Sequence, residues 1–340
     1  MYTCYAPDKS IRMKKILTFS LLIILSFKIS AQDEKIKGVC FVAAKHQITG
    51  KDILPIIEVN ANWVALMPYA FIGKDSTIAF NSKWQWHGEK AEGIQHTIDL
   101  AKAKGLKIMI KPHVWHRGAY TGDFKLDTDE EWKRFESSYT TYIMTFVDLA
   151  VLSNAEMFCI GTEWREFVAA RPAYWSRLIK AIKVKYKGKL TYAANWDDYK
   201  KCPFWDELDF IGIDAYFPLS TSTNPKLNEL IHGWEKQAYA LKLYSEEHNK
   251  KIIFTEIGFR SIEGATVRPW EHHQDGKFDQ DVQDIAYQAF FASIWKKDWL
   301  AGMFLWKWYA QHEEQGGEGD TDFTPQNKKA IKTITANWSH

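Results

Sequence analysis

Eight short apolar runs recur along this chain, spaced so that a helix fits between most of them. They are "IKGVCFVAA" (36–44), "NWVALMPYA" (62–70), "LKIMIKPHV" (106–114), "AEMFCIGTE" (155–163), "KLTYAANW" (189–196), "LDFIGIDAY" (208–216), "KIIFTEIGF" (251–259) and "LAGMFLWKW" (300–308). The intervening stretches are amphipathic, among them "EEWKRFESSYTTYIMTFVDLAVL" (130–152), "IHGWEKQAYALKLYSEEHNK" (231–250) and "DQDVQDIAYQAFFASIWKK" (279–297). Strands alternating with helices pair in parallel through crossover connections. Eight such units, with no Pro/Gly/Ser linker to divide them, predict one closed α/β structure over residues 33–340, a (β/α)8 barrel of the TIM type. The weakest unit lies between the fifth and sixth runs, where "DDYKKCPFWDE" (197–207) has room for only a short helix.

The N-terminus stands apart. "MKKILTFSLLIILSFKISAQ" (13–32) has a basic start, an apolar stretch and the small pair Ser30-Ala31, the layout of a secretory signal peptide cleaved after Ala31. The apolar stretch is short for a bilayer span of roughly 20 residues. Met13 has the better context for a start, so residues 1–12 are expected to be an over-extension of the reading frame. This leader, residues 1–31, predicts an exported protein, periplasmic or extracellular, with no membrane attachment after cleavage.

A net charge of +2 over 340 residues argues against nucleic acid as a partner, since a polyanion is held by a clustered basic face. Without the leader three cysteines remain, Cys40, Cys159 and Cys202, an odd and scattered set with no disulfide or zinc spacing. His113 and Asp214 are the only obvious His/Asp pair at run ends, and two ligands do not make a metal site. No metal and no cofactor is implied. Aromatic residues are in excess: 16 Trp, 15 Tyr and 20 Phe, more than a core of this size needs. Their flat faces suit the apolar C–H faces of sugar rings.

Chemistry in such barrels gathers at the C-terminal ends of the strands. Glu163 closes the fourth run and Glu256 the seventh. Side chains alternate along a strand, so Glu163 is expected to share a face with Gly161 and Cys159, and Glu256 with Phe254 and Ile252. If those faces line the interior, the two carboxyls meet across the barrel mouth. Two acids facing across a cleft, without metal-ligand companions, are the apparatus of glycoside hydrolysis.

The resemblance then becomes specific. "KIMIKPHVWHRG" (107–118), "FCIGTEW" (158–164), "LTYAANWDDY" (190–199), "FWDELDFIGIDAYFPL" (204–219), "IIFTEIGFRS" (252–261), "GMFLWKW" (302–308) and "DFTPQNKKA" (322–330) follow one another as in glycoside hydrolase family 113. This is a clan A family known chiefly for β-1,4-mannanases, and the likeness spans most of the chain. It implies a retaining hydrolase of β-mannan or mannooligosaccharides, with Glu163 as general acid/base and Glu256 as nucleophile. Many clan A families carry Asn just before the acid/base glutamate; Thr162 stands there in this chain, which leaves Asn195 a candidate for the 2-hydroxyl contact. Alternatives within the clan are an exo-acting β-mannosidase or a β-glucan hydrolase; a non-catalytic carbohydrate-binding barrel would have lost one glutamate.

Around the pair, Tyr216 at the end of the sixth run is placed to donate a hydrogen bond to Glu256. Lys111 and His113 end the third run and are expected to bond sugar hydroxyls, while Asp214 is expected to orient polar neighbours. Asn195 and Trp196 end the fifth run. Trp306 and Trp308 end the eighth, one as a platform under the sugar and the other as packing. Trp86 and Trp115 lie in rim loops as flanking subsites, and Glu166 heads a helix. The protein is expected to act as a monomer.

Overall fold

The computed structural model describes residues 1–3 and 34–339; the rest of the predicted leader, with its apolar stretch and cleavage site, lies outside the described residues. From Lys35 onward the chain is one unit. All eight apolar runs form strands: β1 Ile36–Phe41, β2 Trp63–Leu66, β3 Lys107–Ile110, β4 Met157–Thr162, β5 Lys189–Asn195, β6 Ile211–Asp214, β7 Ile252–Ile257 and β8 Leu300–Trp308. Every neighbouring pair is parallel, and β8 pairs with β1 to close the barrel. Both faces of such strands are covered, which is why the runs are continuously apolar rather than alternating.

The helices are α1 Gly50–Glu58, α2 Ala91–Lys102, α3 Asp129–Ser153, α4 Arg165–Ala170, α5 Pro172–Lys185, α6 Leu227–Glu247, α7 Gln280–Ser293 and α8 Ala330–Trp338. The β5–β6 connection holds only two single-turn 3-10 segments, Tyr199–Lys201 and Trp205–Glu207, in line with its thin sequence. Starts follow local chemistry. Thr128 accepts from the Glu131 amide while Glu131 reaches back, a reciprocal cap on the 25-residue α3. Asn154 in the left-handed conformation ends it.

Two apolar layers result. Residues such as Val39, Val64, Ile110, Phe158, Ile213 and Leu305 pack outward against the helices. A smaller interior set, Cys40, Trp63, Ala65, Met109, Met157, Cys159, Ala193, Ile253 and Phe304, fills the barrel. Cys40, Cys159 and Cys202 are free and buried. A three-stranded sheet of Tyr69–Ile72, Ile78–Ala79 and His113–Trp115 extends from the ends of β2 and β3. No helix among the described residues is long and apolar enough to cross a membrane.

Candidate active site

Polar side chains close the barrel interior above this apolar fill. Lys111, following β3, is fully buried, and its ammonium bonds two carboxylates: Glu256 Oε1 and, at 3.3 Å, Asp214 Oδ1. A second donor to Glu256 is the Tyr216 hydroxyl, 2.6 Å from Oε2. Asp214 Oδ1 also accepts from Thr255 Oγ1 at 2.8 Å, while its Oδ2 is buried without a partner among the described residues. Burial alone would strip the proton from Lys111, but the charges of Asp214 and Glu256 reverse that and hold the ammonium firmly protonated. Burial and the charge of Glu256 push the Asp214 carboxyl up, with Lys111 pulling it back. Lys111 is thus closed off from any sugar. Contrary to the sequence expectation, it holds the carboxylates in place.

The other glutamate has the opposite environment. Glu163 follows β4, opens partly to the cleft, and receives no side-chain hydrogen bond among the described residues. Crowding by protein, then the charges of Asp214 and Glu256, raise its pKa well above the ordinary carboxylate range. One acid is held by a cation and a phenol; the other is pressed to keep its proton.

The geometry that delivers these side chains departs from simple alternation, and the expected face-sharing does not occur. Ile252 and Phe254 pack outward and Ile253 inward. The pairing of β7 with β6 then slips between Phe254 and Glu256, which turns Thr255 and Glu256 both inward. In β4, Cys159 is interior. A Cβ on Gly161, by contrast, would come within 2.7 Å of the Tyr139 hydroxyl and 2.9 Å of Trp175, so that position faces α3 and α5. The register with β5 slips between Cys159 and Thr162. Glu163 itself has φ +56°, the left-handed conformation a glutamate seldom adopts. Its amide still donates to Ala193 O at 2.8 Å, which anchors the turn. Strained backbone at a carboxylate in a cleft is a mark of function.

Neighbours complete the floor. His113 Nε2 lies 3.6 Å from Glu256 Oε1 and has no hydrogen-bond partner among the described residues. Burial and the Lys111 charge keep the imidazole neutral. Its ring stacks parallel to that of Trp306, centroids 5.9 Å apart. Asn195 donates to the Tyr120 hydroxyl at 3.0 Å and accepts from the Trp196 amide at 2.9 Å.

The family profile described as Glycoside Hydrolase Family 113 matches residues 43–328. The chain belongs to glycoside hydrolase family 113. No curated protein matches it in sequence. Among solved structures it is similar to the family 113 β-mannanase AaManA from Alicyclobacillus acidocaldarius in complex with ManMIm. The TM-score is 0.78 at 25% identity, over 90% of this chain and 97% of that one. A second family 113 β-1,4-mannanase complex gives TM-score 0.78 at 24% identity, over 90% and 99%. A Faecalibacterium prausnitzii β-glucuronidase shares the fold at TM-score 0.60 and 16% identity, over 90% of this chain and 49% of that one.

In this family 113 hydrolase, Trp306 partly faces the interior beside His113, whereas Trp308 is fully buried in the outer layer and stacks on His312 at 5.7 Å. Of the two, Trp306 is the candidate platform and Trp308 the packing residue, not a sugar contact. Residues two apart would share a face by simple alternation, but the pairing of β8 with β1 slips by one residue between Leu305 and Trp308, which turns Trp308 outward. Trp196 stacks on Trp270 at 4.9 Å, where the 261–276 segment folds over the rim. Trp115 is 55% exposed at the outer end of the small sheet. Glu166 lies in the first turn of α4 and pairs with Lys125 at 3.2 Å. Sequence reasoning missed Tyr120, Thr255 and Asp198, whose carboxyl, pushed up to about 6 by burial and Asp197, adds to the field on Glu163. Asp198 and Thr255 lie next to or within quoted motifs, but nothing in the order of residues marks them as interior.

Proposed function

We propose that this family 113 hydrolase cleaves β-1,4-mannosidic bonds of mannan or mannooligosaccharides with net retention, by double displacement. The asymmetry of the two glutamates carries this reading. A nucleophile must stay ionised, and Glu256 is held by the Lys111 ammonium and the Tyr216 hydroxyl. A general acid must keep its proton until the bond breaks, and Glu163 has the raised pKa that this needs.

In the first step a Glu256 oxygen attacks the anomeric carbon while Glu163 delivers its proton to the departing glycosidic oxygen. The glycosyl ester removes the negative charge of Glu256, so the field that raised the Glu163 pKa weakens. Glu163 then accepts a proton from water, which attacks the anomeric carbon and releases Glu256. Asp214 remains to pair Lys111 while Glu256 is esterified, so the buried ammonium is never left alone. Trp306 offers its ring beneath the sugar, and the unpartnered Nε2 of neutral His113 meets a hydroxyl. The signal-peptide pattern supports export, with the glycan as the working partner of a monomeric enzyme.

The test is product analysis on mannohexaose beside cellohexaose, with the anomeric configuration of the first product followed by NMR. Short β-configured mannooligosaccharides are expected. An α-configured first product overturns retention, and cleavage of the glucan alone overturns the substrate.

A further inference from the structure

The small sheet beside the barrel mouth has two unlike faces. Tyr69 pairs in register with His113, and Phe71 with Trp115. By strand alternation these four side chains share one face, and Ala70, Ile72 and Val114 share the other. The second face packs against the outer core, with the Tyr142 hydroxyl of α3 bonded to Pro68 O and His113 O. The first face begins in the catalytic pocket, where His113 stands 3.6 Å from Glu256 and stacks on Trp306.

From there the face runs outward without a break. Tyr69 lies against His113 with centroids 5.2 Å apart. One strand pair further, about 7 Å along, come Phe71 and Trp115. Trp84 then closes on Phe71 at 4.6 Å. Exposure rises along the row: His113 is nearly covered, Trp115 is 55% exposed and Trp84 64%. Large exposed aromatics in one line are unusual on a surface with nothing to bind. A row that starts at the reacting bond identifies its occupant as the same chain that is cut.

We propose that Tyr69, Phe71, Trp84 and Trp115 form a glycan track continuous with the catalytic pocket, which takes several sugar residues of a β-linked polysaccharide beyond the scissile bond. This rests on the glycoside hydrolase reading above and deepens it from a bond to a chain. The short strand pair exists to carry the row: its inner face supplies core, and its outer face extends the cleft. Aromatic faces hold sugar rings without demanding one hydroxyl pattern, so the track selects for length, and the pocket at His113 and Trp306 selects for sugar identity.

The test measures kcat/KM for wild type, Trp84→Ala, Trp115→Ala and Trp115→Phe on two ladders, mannobiose to mannohexaose and cellobiose to cellohexaose. On the ladder that wild type cleaves, each alanine variant should lose at least tenfold more on the hexaose than on the shortest substrate cleaved, mainly through KM. Trp115→Phe, which keeps a ring, should recover most of the loss. Equal losses at every length, or none, overturn the track, and so does a wild type that cleaves neither hexaose. Wild-type cleavage of the glucan ladder alone overturns the mannan reading instead, with the length dependence still deciding the track. Because Trp84 is mostly exposed, its removal leaves the fold intact and keeps the comparison readable if Trp115→Ala misfolds.

Discussion

Replacing Lys111 by Met isolates the electrostatics of the site, because the two side chains fill similar volumes and only the charge is lost. The ammonium bonds Asp214 and Glu256 in a fully buried position. Removing one partner of such a pair costs about 3–5 kcal/mol, since the remaining charges are left uncompensated. That is a large share of the 5–15 kcal/mol by which folded domains are stable. The penalty can be relieved by protonation. Asp214 is placed to take that proton: burial and the charge of Glu256 already push its carboxyl up to about 7, and without Lys111 the main opposing pull is lost. The sign follows from linkage. Groups whose folded pKa lies above the unfolded value near 4 keep protons that the unfolded chain releases. Stability therefore falls as pH rises from the unfolded value near 4 through the folded value, which for Asp214 is already about 7 with Lys111 in place, and the loss vanishes below that window. Urea denaturation of Lys111→Met and wild type at pH 4.5 and pH 8 should show a deficit of about 3–5 kcal/mol at the higher pH and little at the lower. Adding Asp214→Asn should recover at least half of it, because one uncompensated charge goes with the cation. A deficit that is independent of pH, or below about 1 kcal/mol at pH 8, refutes the reasoning.

Two further perturbations separate other parts of the site. Glu163→Gln should reduce turnover of an unactivated mannooligosaccharide by about 10²–10⁴-fold, and much less with a good leaving group that needs no proton. The same variant should be more stable than wild type at pH 7 and equal to it near pH 4. The raised folded pKa of Glu163 destabilises the protein once pH exceeds the unfolded value, and glutamine has no charge to bury. Trp306→Ala should impair kcat/KM on the shortest substrate cleaved. Trp308→Phe, in the outer layer, should leave kinetics alone and lower stability by about 1–2 kcal/mol in thermal or urea unfolding.

The barrel was legible because its signal is redundant. Eight apolar runs, each flanked by helical segments with no linker between them, favour closure into a barrel, and no single residue carries that inference. The two glutamates and Tyr216 were legible for a related reason: a polar residue at the end of a buried run has to be placed for something. Tertiary structure alone decided which way they point. Alternation from Cys159 or from Phe254 assigns the wrong companions, because register slips in β4 and β7 and the left-handed turn at Glu163 reset the faces. Such slips depend on neighbouring strands rather than on the run itself. The same limit governs Lys111. In sequence it is a lysine at a strand end, the usual mark of a ligand contact. Its role as the shared counter-ion of Asp214 and Glu256 arises only when β3, β6 and β7, more than a hundred residues apart at the extremes, curl to one axis. The sequence determined the barrel and its acids; closure of the barrel determined which acid keeps a proton, since that follows from charges brought close in space.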